Sequence, residues 1–549
     1  MRAIVDLFTK QVLKNLAFSL VRDCSPAGRL TKSYFHGACR VPLSGETIGE
    51  VLLHKEIDPD KVIFAAPEFN QKLTVKELRK ESILFSKWLI KNGIQKGDIV
   101  LVNGVADLKY FPLLLGTVSI GCICQTINPT VIIMGFQSGK EELLIAENLK
   151  TRDNADRATC LKQIRFLGES NIQDYFQDDN SVTDESYFAT MKSVSPEDPA
   201  FIIRTTGSTG SSKAVLTCHK SVVNFGIFCV DRHERKKMVT NEINIAVPNP
   251  VTDDIQPVLH TLNALINWKT SKIVLNPSWL DFGCEDMERF AKFLQEEKIT
   301  CYLGYPYEVI KLVNSEYADQ YDLSNLKSVN LVSQIVSKEM RETIYKHFPN
   351  SAVCYGASEC LVGTCTSPIL SSPEQRLYTV GYPFPHTEVK IIGDKHEILP
   401  INVPGEICIK GFGIFYGYLN NNEPGTGPLD KQGWLRTGDV GKMDETGHVT
   451  YIGRKTDCLF FKHGGDKIYP TQLTDIISSH PDVLESAVLG IQSDEKGDDI
   501  FIFYVLREGS TATPGNLREY MLLSVHETMC ADFFIPVQSL PRTGSRHKR

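Results

Sequence analysis

Residues Arg204-Thr205-Thr206-Gly207-Ser208-Thr209-Gly210-Ser211-Ser212-Lys213 follow directly on the strand-like run Phe201–Ile203. Small glycine and hydroxyl residues let backbone N–H and side-chain O–H donors surround phosphate oxygens, and Lys213 adds a mobile positive charge. A Walker A loop needs Gly before its Lys and Ser or Thr after it. Ser212 and Ala214 occupy those places, so that reading fails. A plain Gly/Ser linker is the competing reading, but it leaves the closing lysine and the anchoring strand without a purpose. A second group, Gly356-Ala357-Ser358-Glu359-Cys360, fails as a nucleophile elbow because Cys360 stands where G-x-S-x-G requires its last glycine. Glu359, shortly after Tyr355-Gly356, is better suited to holding Mg²⁺ against substrate phosphates.

Strand-like runs and helical periods alternate around these groups. Ile99–Val102, Phe201–Ile203, Ile243–Val247, Lys272–Leu275 and Lys327–Val332 read as strands, and Val75–Asn92, Asp286–Lys298 and Pro306–Asn314 as helices. The alternation predicts an α/β architecture with much parallel sheet. Residues 171–198, rich in Asp, Ser and Gln, read as a loop, as do residues 420–433. From Gly447 the texture changes to short strands (His448–Ile452, Ser486–Leu489, Ile500–Val505) around a helical Pro470–His480, which predicts a small α+β unit with its boundary near Arg454.

At 549 residues the chain exceeds the size of a single hydrophobic core. Its 42% hydrophobic and 23% charged content is that of a globular protein, which excludes collagen-like, disordered and disulfide-scaffold classes. With 59 basic and 66 acidic residues, a surface that grips nucleic acid throughout is not expected. The 15 cysteines form no C-x-x-C, so buried thiols in a reducing compartment are the simplest reading. Cys122 and Cys124, inside an apolar segment, fit it. Residues 111–139 carry no charge, but Pro112, Gln125, Asn128 and Pro129 interrupt them. They predict a buried helix feeding a core strand, not a transmembrane segment. Residues 1–32 set Arg2, Lys10, Lys14, Arg22, Arg29 and Lys32 against Asp6 and Asp23, with Leu7, Val12, Leu13, Leu16 and Leu20 at roughly helical spacing. That pattern resembles a mitochondrial targeting segment, with an ordinary surface helix of a cytoplasmic protein as the competing reading.

The motifs together resemble the adenylate-forming superfamily of acyl-CoA synthetases, coumarate-CoA ligases and luciferases. They fall in family order: Thr205 to Lys213; Tyr355-Gly356-Ala357-Ser358-Glu359; Val380-Gly381 with Pro385-His386-Thr387-Glu388; Pro404-Gly405-Glu406-Ile407 to Gly417-Tyr418; Gly433-Trp434-Leu435-Arg436-Thr437-Gly438-Asp439; Gly453-Arg454; and Gly464-Gly465-Asp466-Lys467-Ile468-Tyr469-Pro470. The opening Ser33-Tyr34-Phe35-His36-Gly37 with Thr47-Ile48-Gly49 is similar to a medium-chain acyl-CoA ligase branch. The resemblance implies a large N-terminal adenylation domain with mixed parallel sheets, residues 33–453, and a small mobile C-terminal domain, residues 454–549. It implies ATP, Mg²⁺ and coenzyme A as cofactors and a small-molecule carboxylic acid as substrate, converted to an acyl-adenylate and then an acyl-CoA. Thr205, Thr206, Gly207, Ser208, Thr209, Gly210 and Lys213 would hold phosphates. Tyr355, Ser358, Asp439 and Arg454 would bind the nucleotide, with Asp439, at the end of a Thr-Gly-Asp turn, on the ribose. Glu359 would hold the metal, and Gly464 and Gly465 would line a pantetheine tunnel reached by rotation of the small domain.

Four departures from the family pattern qualify this expectation. Ungapped, His547 falls where the family has its adenylation lysine, with Arg546 and Lys548 beside it as alternative donors. Loss of one such transition-state donor costs about 3–4 kcal/mol. Ser333-Gln334-Ile335 replaces the Gly-Ala-Pro adenine loop, Thr252-Asp253 the aromatic-His gate to the acyl pocket, and Thr456 the usual hinge Asp or Lys. Two further readings therefore stand beside the fatty acyl-CoA ligase: a catalytically impaired nucleotide- or acyl-binding paralogue, and an aromatic acid–CoA ligase.

Overall fold

The computed structural model describes residues 29–541 without 55, 104–107, 128–175, 178–180, 206–212, 233–242, 248–264, 267–270, 276–285, 305, 332–337, 367–370, 420–427, 462–466 and 494–496. Two open sheets carry the larger part of the chain. In the nine-stranded sheet the order is Tyr382–Pro383, Thr364–Cys365, Ala352–Tyr355, Ser328–Leu331, Cys301–Gly304, Ile243–Val247, Ser271–Leu275, Val62–Ala66 and Gln71–Thr74. Its six inner strands, from Ala352–Tyr355 to Val62–Ala66, pair in parallel, and its edges are antiparallel. The five-stranded sheet runs Gly417–Tyr418, Ala214–Cys218, Pro199–Arg204, Ile123–Ile127 and Ile99–Asn103, parallel at one end and antiparallel at the other. The parallel inner strands are those that the alternation of strand and helix periods predicts, and the mixed character of the sheets is that implied by the family resemblance.

Crossover helices cover the sheets. Val75–Lys91 starts at a capping box in which Thr74 and Glu77 exchange side-chain and backbone hydrogen bonds. Tyr110–Ser119 is buried along its whole length and leads to the strand Ile123–Ile127. Pro112 is its third residue, within the first turn, where the missing N–H is not needed. The two helices touch at Gly116: a Cβ there would lie 2.6 Å from the carbonyl oxygen of Ser82, and Ser86 Oγ donates to the Gly116 carbonyl at 2.7 Å. The uncharged segment thus folds as expected over 110–127, while residues 128–139 lie outside the described ones. No described helix is long and apolar enough to cross a membrane.

One sequence expectation is corrected here. Within the presumed loop of residues 171–198, Asp184–Lys192 is a helix capped by Thr183, whose Oγ1 accepts from Ser186 N–H. Tyr187 and Met191, one turn apart, are its only buried residues. An anchor that narrow, in a polar segment, leaves little periodicity to read.

An antiparallel five-stranded sheet follows, in the order Tyr34–His36, Thr387–Ile392, Gly405–Gly411, Leu435–Met443 and Val449–Arg454. The main hydrophobic core extends from Phe35 to Val449, and a separate one from Leu459 to Ala531. The latter fills a small α+β unit in which Val483–Gln492 and Asp498–Leu506 pair antiparallel and Phe533–Pro536 pairs parallel with Asp498–Leu506. The helices Pro470–Ser478 and Pro514–Leu522 belong to this unit. It meets the rest of the chain where Thr471 Oγ1 donates to the Ile452 carbonyl. Cys122 and Cys124 are fully buried, in keeping with thiols acting as small hydrophobes.

Candidate active site

The phosphate-loop candidate is closed at its neck by a hairpin. Pro199–Arg204 and Ala214–Cys218 pair antiparallel, Arg204 facing Ala214. Thr205 N–H donates to the Lys213 carbonyl at 2.9 Å, and Lys213 N–H donates to Thr205 Oγ1 at 3.0 Å. Thr205 and the exposed Lys213 therefore bracket the loop. Thr206, Gly207, Ser208, Thr209 and Gly210 lie outside the described residues, as do Gly464, Gly465, His547 and Lys548.

Lys213 is linked to the second motif through an aromatic side chain. Its Nζ lies 5.2 Å from the centre of the Tyr418 ring, and the Tyr418 hydroxyl donates to Glu359 Oε1 at 2.8 Å. Glu359 sits in a turn with Ser358 and Cys360, just past the strand Ala352–Tyr355. Its carbonyl accepts from Phe415 N–H at 2.9 Å, which fixes the turn against the segment that carries Tyr418. Burial, then the charge of Glu359 and its hydrogen bond, hold the Tyr418 phenol well above its ordinary range, so it stays protonated and donates. Cys360, the residue that breaks the elbow pattern, is buried and its thiol is pushed up to about 12 by desolvation. A thiol held there is no nucleophile near neutral pH.

A second set of contacts joins the strand-borne motifs. Asp439 and Arg454 are cross-strand partners, with Arg454 Nη1 2.9 Å from Asp439 Oδ1. The Tyr355 hydroxyl donates to the other oxygen, Oδ2, at 2.7 Å. Arg454 Nη1 also donates to the Thr437 carbonyl at 2.8 Å, and Thr437 Oγ1 accepts from Asp439 N–H at 3.0 Å. Burial raises the Asp439 carboxyl, against the opposing pull of Arg454 and Tyr355. It likewise holds the Tyr355 phenol well above its usual value, reinforced by the Asp439 charge. Burial disfavours the Arg454 charge, but the Asp439 carboxylate and neighbouring phenols together outweigh it, and the guanidinium pKa lies above the ordinary one.

Thr437-Gly438-Asp439 is not the tight turn that its composition suggests. It lies inside the strand Leu435–Met443. Gly438 takes a φ of 72° there, a left-handed conformation that glycine adopts without strain, and this lets the strand continue through a kink.

The two sets share the segment Tyr355–Cys360, and Arg454 acts electrostatically on Tyr418 while Asp439 acts on Cys360. Lys213, Glu359, Tyr355, Asp439 and Arg454 thus belong to one connected site, with Ser358 partly buried in the intervening turn. Sequence reading assigned no chemistry to Tyr418, Thr437 or Phe415. The signals were Gly417-Tyr418 and Thr437 at their places in the motif order; Phe415 had none. Thr456 Oγ1 donates to the neighbouring Asp457 Oδ1 at 2.9 Å.

Comparison with known proteins places these residues in context. Residues 54–419 match the family model described as AMP-binding enzyme, and residues 473–547 that described as AMP-binding enzyme C-terminal domain. The chain is 25% identical over 549 residues to the mitochondrial medium-chain acyl-CoA ligase ACSF2 of Bos taurus, covering 93% of this chain and 88% of that one. Among solved structures, ATP-bound MatB from Rhodopseudomonas palustris superposes with a TM-score of 0.72 at 19% identity, covering 91% of this chain and 96% of that one. The anthranilate CoA ligase AuaEII in complex with anthranoyl-AMP gives 0.71 at 16% identity, covering 92% and 96%.

Proposed function

The chain belongs to the AMP-binding enzyme family, and from that premise we propose that it is an acid–thiol ligase that activates a medium-chain fatty acid with ATP and transfers the acyl group to coenzyme A. The observation that carries the reading is the joining of Lys213 and Glu359 through Tyr418, beside the Tyr355–Asp439–Arg454 cluster. A cation and a carboxylate at the phosphate loop, with a second carboxylate held nearby, are what a nucleotide triphosphate and its metal require. In the first step a carboxylate oxygen attacks the α-phosphorus of ATP and pyrophosphate leaves. In the second the thiolate of coenzyme A attacks the acyl carbon and AMP leaves. Both steps gather negative charge, so placed cations and N–H donors are the main catalytic resource.

Thr205, Thr206, Gly207, Ser208, Thr209, Gly210 and Lys213 take the phosphate oxygens in this reading, and Asp439 accepts from ribose hydroxyls, with Arg454 opposing the upward push of burial on its carboxyl. Among the described residues no cluster of three or more metal-ligating side chains exists. A lone Glu359 with one oxygen already accepting from Tyr418 suits Mg²⁺, which is bound by one or two carboxylates together with substrate phosphates and water. When bound, the metal supplies neutralisation of phosphate charge. Residues 33–453 form the adenylation domain and 454–549 the mobile one, with the pivot at Arg454, a division supported by the gap between the two cores from Val449 to Leu459. Gly464 and Gly465 line the thiol's path, and residues 1–32 direct the chain to mitochondria, as the name of the ACSF2 relative suggests.

Pyrophosphate release across a panel of acids tests the substrate class. Preference for acids of about eight to ten carbons supports the reading, because each methylene buried in an apolar pocket adds about 0.8 kcal/mol. Preference for cinnamate- or anthranilate-like acids would replace it with aromatic activation, the chemistry named for AuaEII. The histidine at position 547 favours a second reading, a nucleotide-binding chain without turnover. It requires ATP binding with no pyrophosphate release, and activity awakened by His547→Lys.

A further inference from the structure

We infer that Tyr418 is a positioning residue that orients the Glu359 carboxylate with its hydroxyl and seats the Lys213 ammonium on its ring, so that both charges are set before a triphosphate arrives. The inference rests on the nucleotide reading above and assigns work to a residue outside the phosphate loop.

Strand register places Tyr418 there. Gly417–Tyr418 pairs antiparallel with Ala214–Cys218, Tyr418 opposite Val215 and Gly417 opposite Leu216. Tyr418 therefore lies beside the strand that leaves the loop at Lys213. Its backbone is pinned on either side, since Tyr416 N–H donates to the Leu216 carbonyl at 2.8 Å and Leu419 N–H to the Ala214 carbonyl at 2.9 Å. The ring is held edge-on to Phe415, centroids 5.0 Å apart, and Phe415 N–H in turn holds the Glu359 carbonyl. The backbone on either side of Tyr418 and one face-to-edge contact of its ring are thus held independently of the two charged groups.

From that plane two interactions leave in different ways. The hydroxyl gives Glu359 a charge-assisted bond at 2.8 Å, which occupies one lone pair of Oε1 and leaves Oε2 to face a cation. The ring face attracts the Lys213 ammonium at 5.2 Å, a weak interaction at an exposed site. That weakness is useful: phosphate oxygens can draw the ammonium away without breaking a strong bond. A direct ion pair between Lys213 and Glu359 would satisfy each charge with the other. Sharing a neutral aromatic side chain keeps them close while leaving both available.

The two halves of the inference separate by mutation. Tyr418→Phe keeps the ring and removes the donor; Tyr418→Leu removes both. Calorimetric titration with ATP, with and without MgCl₂, reads them without relying on turnover. Tyr418→Phe is expected to bind metal-free ATP as the wild type does and to lose about tenfold of the affinity that MgCl₂ adds, the scale of a hydrogen bond to a charged group. Tyr418→Leu should lose the same Mg²⁺-dependent part and a further few-fold, roughly three, of metal-free affinity, the scale of an unseated lysine. An unchanged MgCl₂ effect in Tyr418→Phe, or equal losses with and without MgCl₂, would overturn the inference and mark Tyr418 as a packing residue. Wild-type protein that binds ATP and releases no pyrophosphate would refute the ligase reading while the calorimetry still decides Tyr418. Wild-type protein that binds no ATP would overturn both.

Discussion

Asp439 and Arg454 stand directly opposite each other on neighbouring strands, and their side chains close the gap to 2.9 Å while Tyr355 takes the remaining carboxylate oxygen. A buried carboxylate with both oxygens engaged is aimed by its strands and not by a flexible loop. Removing the partly exposed Arg454 leaves the buried Asp439 charge uncompensated. Arg454→Ala is therefore expected to destabilise the protein by about 2–4 kcal/mol, and the double variant with Asp439→Asn to recover part of that loss. Thermal unfolding of the single and double variants checks the coupling; additive losses would contradict it.

Tyr355→Phe removes the hydroxyl that donates to Asp439 Oδ2 and that also meets the Thr437 side chain. A hydrogen bond to a charged group contributes about 1.5–3 kcal/mol, so ATP binding measured by calorimetry should weaken by roughly tenfold or more, through misorientation of Asp439. Unaltered affinity would mean that Arg454 alone orients the carboxylate.

The candidate site was legible in its motif residues and much less in their connections. Thr205, Lys213, Tyr355, Glu359, Asp439 and Arg454 are short-range signals, each readable from immediate neighbours. Tyr418 meets Glu359 across a separation of 59 residues, and no local pattern states which way its ring points. Strand and helix positions in the open sheets were legible because apolar runs and periods mark them, as at Ile243–Val247 and Val75–Lys91. Two elements were not. Asp184–Lys192 has only two buried side chains, and Thr437-Gly438-Asp439 carries turn composition inside a strand because one glycine absorbs the kink.

Gly116→Ala tests the packing that carries the buried helix. The added Cβ would sit 2.6 Å from a backbone oxygen of the neighbouring helix, which has to move aside. Overpacking of this kind costs about 1–3 kcal/mol, which in a unit of this size lowers the unfolding midpoint by about one to three degrees. An unchanged midpoint would show that the two helices separate freely.

Asp475, on the helix Pro470–Ser478, is raised to about 6 by burial, against the opposing attraction of Arg341 on Lys338–His347. A carboxyl with a folded pKa above its unfolded value binds more protons in the folded state. Its favourable contribution is present at about pH 4 and is lost as the pH rises through about 6. Asp475→Asn should therefore stabilise the protein at pH 8, by roughly 1–3 kcal/mol, and leave it little changed at pH 4. Stabilisation that is independent of pH would contradict the assignment.

Acid-dependent exchange of labelled pyrophosphate into ATP tests the central claim most directly, because only reversible adenylation of a carboxylate produces it. With octanoate or decanoate the account predicts exchange in the wild type, a loss of about a hundredfold or more in Lys213→Ala, and none when the acid is omitted. Exchange that proceeds equally without acid, or a folded ATP-binding wild type that shows no exchange with any carboxylic acid, would contradict it.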